Sequence, residues 1–89
     1  MLLHAPGTPW PIEDGTRSVA FIGQAIPDTE THTLTLCARC ETLEDYARNL
    51  FEFMRRCDQA KIDVLVCEAV PRRGLGAALM DRLERAARG

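Results

Sequence analysis

Apolar residues between positions 42 and 57 recur at the spacing of a helix. Thr42, followed three residues later by Asp45, resembles a capping box at the start of this segment. Arg55 and Arg56 near its end suit the negative pole of a helix dipole. The pattern predicts an amphipathic helix over residues 42–57 that packs on a sheet, with its aromatic residues in the core. Its apolar stripe consists of Leu43, Tyr46, Ala47, Leu50, Phe51, Met54 and Cys57.

Three short apolar runs are typical of β-strands. Residues 19–22 form a buried run, and residues 33–37 alternate with threonines on one face, as in a half-buried strand. Residues 62–67 are almost unbroken aliphatic sequence, which favours a central parallel strand covered on both faces. The helix between the second and third runs predicts a right-handed parallel crossover. The relative direction of the first two runs stays open, because the chain between them is short for a crossover.

The two ends of the sequence complete an α/β domain. Residues 74–88 predict a second amphipathic helix, and Gly89 is a natural stop. Residues 1–17 hold three of the five prolines, which predicts an extended, linker-like arm that Trp10 docks onto an apolar surface. We therefore expect an arm at 1–17 and a domain at 18–89, with a mostly parallel sheet of about three strands and two main helices.

Composition narrows the class of protein. Eighty-nine residues, 46% hydrophobic and 27% charged, suit one small globular domain. No apolar run approaches the roughly 18 residues that cross a bilayer, and the start of the sequence lacks the pattern of a secretory signal. We therefore expect a cytoplasmic protein with reduced thiols and no membrane contact. The net charge of −2 argues against a broad nucleic-acid surface, so no direct nucleic-acid partner is expected.

Arginines and glycines meet between the last predicted strand and the second helix. Free amides at a helix N-terminus attract anions, glycine lets a phosphate approach closely, and arginine adds bidentate hydrogen bonds. The segment lacks both the third glycine of a dinucleotide-binding fingerprint and the lysine of a phosphate-binding loop. Two interpretations stay open: a nucleotide or phosphate site, or a tight turn that needs small residues for packing. The candidate ligand-binding residues are Arg72, Arg73, Gly74 and Gly76.

The remaining candidate chemistry is sparse. Cys37 and Cys40 form a C-x-x-C, but zinc would need two further ligands and no second close pair exists. A redox C-x-x-C usually opens a helix, whereas Cys40 precedes the predicted helix by about two residues. A metal site, a redox pair and ordinary reduced thiols are the alternatives. His4 and His32 are the only histidines and Ser18 the only serine, so we expect no catalytic residues, no metal and no cofactor.

Two segments of the second half are more specific. The first segment, residues 46–51, reads Tyr-Ala-Arg-Asn-Leu-Phe. The second, residues 71–83, reads Pro-Arg-Arg-Gly-Leu-Gly-Ala-Ala-Leu-Met-Asp-Arg-Leu. Both resemble the C-terminal domain of two-domain threonylcarbamoyl-AMP synthases. The resemblance covers residues 43–87 and, loosely, the run at 19–22. It implies a small Rossmann-like domain of three layers in the pathway of tRNA threonylcarbamoylation. The family's larger domain, which binds ATP, threonine and bicarbonate, has no counterpart in this sequence, so we expect no enzymatic activity from the chain by itself.

The arm carries a weaker likeness to the same family. In the family, the linker between the two domains carries Met-x-x-x-His-Tyr-Ala-Pro and reaches back over the synthase active site. Here residues 1–6 read Met-Leu-Leu-His-Ala-Pro, one residue short before His4 and without the tyrosine.

Three functions follow from these observations. The first is an accessory or regulatory domain that acts by contact with a synthase domain or a related tRNA-modification protein. The second is a stand-alone module that binds a small anionic ligand, a nucleotide or phosphate, at the Gly74-Leu75-Gly76 turn. The third is a metal or redox protein built on Cys37 and Cys40. A partner face left uncovered would also favour a homodimer.

Overall fold

A parallel sheet lies at the centre of the structure, a computed structural model that describes residues 1–12, 18–29 and 33–88. The sheet has the strand order β1-β4-β2-β3, and all three neighbouring pairs are parallel. Two helices accompany these four strands in the described part of the chain. In chain order the elements are β1 (Leu2–His4), β2 (Val19–Gly23), β3 (Leu36–Arg39), α1 (Leu43–Gln59), β4 (Val64–Glu68) and α2 (Leu75–Arg88). The α/β class and the predominantly parallel sheet are confirmed.

The most apolar run of the sequence occupies an interior position in the sheet. β4 pairs with β1 on one edge and with β2 on the other. Val66 and Cys67 are fully buried. A strand that is paired on both edges and covered on both faces has no solvent-facing side, so apolar residues succeed one another instead of alternating with polar ones. The predicted central strand is therefore correct, although it spans Val64–Glu68 rather than residues 62–67.

Strands β2 and β3, whose relative direction the sequence left open, are parallel. β2 and β3 pair with Ala20 opposite Leu36, and residues 24–35 join them. β3 begins later than the alternating run at 33–37 predicts. The amide of Thr35 still donates to the carbonyl of Val19 at 2.8 Å, so the pairing begins beside the first residue of β2.

The predicted arm contributes a strand of its own. Leu3 lies opposite Cys67, and the amide of Ala69 donates to the carbonyl of His4 at 2.9 Å. Within the described residues the sheet therefore has four strands, where the sequence predicts about three. Three residues among prolines give no periodic signal, and it is the free edge of β4 that makes them a strand. The predicted boundary between arm and domain falls beside residues 13–17, which lie outside the described residues.

Successive strand residues point to opposite faces of the sheet and fill two separate clusters. Both helices pack on the face that carries Ala20 and Ile22, and the larger cluster also contains Tyr46, Leu50, Phe53, Cys57, Leu79, Met80 and Leu83. The opposite face carries Phe21, against which Trp10 packs. The third layer is therefore extended chain, with Ile12 buried in it, because both helices of the described residues lie on one face. Trp10 docks the arm as predicted.

Helix α1 starts where the sequence predicts, but not all of its aromatic side chains lie in the core. The amide of Asp45 donates to the Thr42 hydroxyl at 3.0 Å, which confirms the cap. Tyr46 is fully buried, as predicted. The prediction for Phe51 is wrong: its side chain is 63% exposed, whereas Phe53 is 3% exposed. These two rings are about 200° apart around a helix, so only one of them can face the sheet. Phe51 lies instead beside the Arg82 guanidinium, 5.7 Å from its ring centre.

Neither helix of the described residues combines the length and the apolar character that a membrane span needs.

The two phenylalanines give a matched test of this packing. We expect Phe53→Ala to lower the free energy of unfolding by about 3–5 kcal/mol, because it empties a space in the core. Phe51→Ala, on the solvent side, should cost less than about 1 kcal/mol. Urea denaturation followed by circular dichroism measures both. Equal losses would contradict the assignment of the helix faces.

Candidate functional site

All four strands end at the same edge of the sheet. From β2 the chain steps to β3 on one side, and α1 then carries it back to β4 on the other side of β2. The boundary between β2 and β4 is therefore the switch point of the topology, where open α/β sheets form a crevice. A cleft of about 290 Å³ opens at this edge. Its walls come from the ends of β1 and β4 and from the segments that follow β1 and β2: His4, Pro6, Gly7, Thr8, Ala25, Ile26, Pro27, Asp28 and Glu68.

Glu68, the last residue of β4, joins the elements around the cleft. Its side chain is buried, and its carboxylate accepts hydrogen bonds from the amides of Gln24 at 3.2 Å and Ala25 at 3.0 Å. Its backbone carbonyl accepts from the Tyr46 hydroxyl at 2.8 Å. Burial, with the nearby Cys67 and Glu68 groups adding to it, raises the pKa of Tyr46 well above its ordinary value, so this hydroxyl stays a donor.

His4, the last residue of β1, forms a second polar group of the cleft. It is buried, and its Nε2 lies 3.1 Å from the carbonyl oxygen of Thr8. A carbonyl only accepts, so Nε2 is the donor of this hydrogen bond. The Trp10 ring packs edge-on against it, with 5.6 Å between the ring centres. The sequence places His4 in a linker-like arm and indicates no role for Glu68, because single residues far apart in sequence form no motif.

The glycines predicted to hold an anion have structural reasons to be glycine. Gly74 has a φ of 56°, in the left-handed region that other residues rarely adopt. A Cβ on Gly76 would overlap the carbonyl oxygen of Pro71. The packing interpretation therefore accounts for both positions, and it leaves an additional ligand role as a prediction.

The arginines of the same turn are in different situations. Arg72 pairs with Glu84 of α2 at 2.8 Å, and both side chains are partly exposed. Arg73 is exposed and forms no ion pair among the described residues. The amides of Gly76 and Ala77 already donate to carbonyls within the turn, at 3.0 and 3.1 Å. Arg72, Arg73, Gly74 and Gly76 thus lie together in one turn. The Arg72 side chain and the Gly76 amide already have partners within the protein.

The C-x-x-C does not have the environment of a reactive pair. Cys37 is exposed on β3, whereas Cys40 is buried, and all four cysteines are free. Burial raises the pKa of both thiols, and the charges of Asp45 and Glu68 raise that of Cys40 further. A raised pKa keeps a thiol protonated and less nucleophilic. Within residues 1–12, 18–29 and 33–88, no group of three or more His, Cys, Asp or Glu side chains could hold a metal ion.

Thiol reactivity tests this assignment. At pH 8 one equivalent of a disulfide reagent should react with the folded protein at Cys37, in a phase that is rapid relative to the buried thiols because this residue is exposed, although its raised pKa slows it compared with a free cysteine. Cys67, whose pKa burial raises to about 12, and the two other buried thiols should react only after unfolding. A Cys37→Ser variant should lose the rapid phase, and zinc analysis should find no metal. Rapid reaction of two thiols, or retained zinc, would support a metal or redox function instead.

Three comparisons with known proteins agree with one another. The family model described as the C-terminal domain of threonylcarbamoyl-AMP synthase matches residues 10–88. Threonylcarbamoyl-AMP synthase of Pyrococcus abyssi is 46% identical over 46 residues, which are 52% of this chain and 14% of that protein. The Bacillus subtilis synthase is 40% identical over 53 residues, 60% of this chain and 15% of that protein.

A solved structure shows that the likeness extends to the fold. It is Sua5 of P. abyssi, with one histidine and one tyrosine changed to alanine. It matches 78% of this chain and 20% of its own length, with a TM-score of 0.64 and 36% identity. The chain thus spans only 14–15% of the length of the curated relatives it matches. Because the family model covers nearly all of the sequence, the chain belongs to the family of threonylcarbamoyl-AMP synthase C-terminal domains.

Proposed function

We propose that the chain is a non-catalytic accessory domain that acts by contact with a synthase domain in the threonylcarbamoylation of tRNA. The observation that carries this proposal is the extent of the family match. It fills residues 10–88 of this chain, while the same likeness takes up only 14–15% of whole synthases. The chain therefore corresponds to the smaller part of a two-part protein.

The charged groups of the described residues support a role without chemistry of its own. Arg55 pairs with Glu52 at 2.7 Å on α1, and Arg85 pairs with Asp81 at 3.2 Å on α2. Each exposed pair joins neighbouring turns of its own helix, as ion pairs on solvated helix surfaces ordinarily do. In the described part of the chain, His4 bonds to the carbonyl of Thr8 and Ser18 to Asp63, so neither forms the serine–histidine or cysteine–histidine pair that would activate a nucleophile. A cytoplasmic location, as for the pathway to which the family belongs, stays a prediction.

A second candidate function is the binding of a small anionic ligand at the turn before α2. One observation favours it: the first turn of α2 holds no acidic residue, so nothing there offsets the positive pole of the helix. The exposed Arg73 stands at the same end without an ion pair among the described residues. Arg72 would have to leave Glu84, or share it, to take part.

The first proposal predicts no turnover by the chain alone. Purified protein with ATP, threonine, bicarbonate and magnesium should form no threonylcarbamoyl-AMP above a protein-free control, measured by mass spectrometry. A complete two-domain synthase of the family serves as the positive control. Turnover by the isolated chain would refute the proposal.

Contact with a synthase domain is the complementary prediction. An isolated synthase domain from a family member, lacking its C-terminal domain, should bind this chain in isothermal titration calorimetry. The matched control is the same synthase with its own C-terminal domain in place, which should bind this chain more weakly because the contact surface is already occupied. Failure of the isolated domain to bind would leave the accessory role without support.

The second candidate predicts an arginine-dependent affinity. ATP, AMP and inorganic phosphate should bind, and the double variant Arg72→Ala, Arg73→Ala should weaken binding about tenfold or more, since each charge-assisted hydrogen bond contributes roughly 1.5–3 kcal/mol. Arg55→Ala with Arg85→Ala removes the same charge elsewhere and should leave binding unchanged. Calorimetry that finds no binding, or equal binding by both double variants, would exclude this site.

A further inference from the structure

The cleft at the carboxyl edge of the sheet lies between the segments that follow β1 and β2. Residues 6–8 form one side and residues 25–28 form the other. Because β4 lies between β1 and β2 in the sheet, Glu68 at its end stands between the two segments. The carboxyl edge is where open parallel sheets bind small molecules.

A buried carboxylate forms part of this wall without a basic partner. Glu68 is 5% exposed, and no salt bridge to it occurs among the described residues. The two amide hydrogen bonds, from Gln24 to Oε2 and from Ala25 to Oε1, use one acceptor site on each oxygen. A carboxylate offers about four such sites, so each oxygen keeps one. Burying a charge is costly unless it is paired, so a cation in the cleft would lower the free energy of this wall.

The rest of the lining fits the same kind of ligand. No lysine or arginine is among the residues that form the cleft, whereas the carboxylates of Asp28 and Glu68 are. The apolar surface comes from Pro6, Pro27 and Ile26, whose side chain is 55% exposed. The polar lining thus accepts hydrogen bonds and bears negative charge, while the rim can cover a short apolar body.

We propose that this cleft binds a small molecule with an ammonium or guanidinium group, for which Glu68 is the counter-ion. The cationic nitrogen donates to the free acceptor sites of the carboxylate, and its alkyl part lies against Pro6, Ile26 and Pro27. A volume of about 290 Å³ accommodates a short alkylamine or a decarboxylated basic amino acid. This site is separate from the turn that carries Arg72 and Arg73, and it does not depend on the accessory role.

Two-dimensional amide NMR of the whole chain tests the site with defined probes. Agmatine and n-butylammonium should produce saturable shifts of the Gln24, Ala25 and Glu68 amides at millimolar concentration. Butyrate and 1-butanol, which have the same alkyl group without the cation, should not. Absence of saturable shifts with both cations, or equal shifts with butyrate, would overturn the proposal.

Two variants assign the role of Glu68. Glu68→Gln keeps the size and removes the charge, so the affinity for agmatine should fall about tenfold or more. Glu44→Gln, on the exposed surface of α1, is the matched control and should bind as the parent does. Undiminished binding by folded Glu68→Gln would overturn the proposal.

A second variant keeps the test decisive if Glu68→Gln does not fold. Ile26→Lys places an ammonium on the exposed rim, where it competes for Glu68, so the agmatine shifts should disappear while the fold persists. Leu75→Lys adds the same charge at another exposed apolar position and should leave the shifts unchanged. Agmatine binding that survives Ile26→Lys, or is lost equally in Leu75→Lys, would contradict a cation site in this cleft.

Discussion

Three interactions at the end of β4 fix the arrangement around Glu68. Its carbonyl accepts from Tyr46 of α1, its carboxylate accepts from Gln24 and Ala25, and His4 of β1 stands opposite it in the sheet. Each partner comes from a segment distant in sequence, so together they set the helix, the segment after β2 and the first strand relative to one another. The hydroxyl of Tyr46 is buried, and losing its partner would leave an unpaired polar group in the core. The carboxyl-edge cleft takes its shape from this junction.

The turn before α2 shows that one group of residues can satisfy two requirements. Gly76 abuts the Pro71 carbonyl and Gly74 adopts a positive φ, so the turn itself requires glycine at both positions. A glycine-rich segment between a strand and a helix is therefore weak evidence for phosphate binding by itself. The two interpretations differ in whether the arginines of the turn are free to bind an anion. Here Arg72 already has a carboxylate partner in Glu84.

Local patterns predicted most of the fold. The helix at 42–57 and the aliphatic run at 62–67 were identifiable because each pattern extends over several turns or residues and leaves one dominant interpretation. The failures were at short or ambiguous positions. Phe51 and Phe53 both suit a helix, and only contact with the sheet decides that Phe53 is the core residue. Leu2–His4 became a strand because β4 offered an unpaired edge, which no property of three residues reveals.

The sequence by itself determined the α/β class, the position of α1 and its cap, and the family, because periodicity and motifs are written in consecutive residues. The tertiary structure decided the strand order and the place where chemistry is concentrated. His4, Ala25 and Glu68 are separated by 21 and 43 positions and share no spacing rule, yet the parallel pairing of β1, β4 and β2 brings the ends of their strands to one edge. A site that strand pairing assembles from distant residues has no sequence motif, so only the tertiary structure shows the cleft.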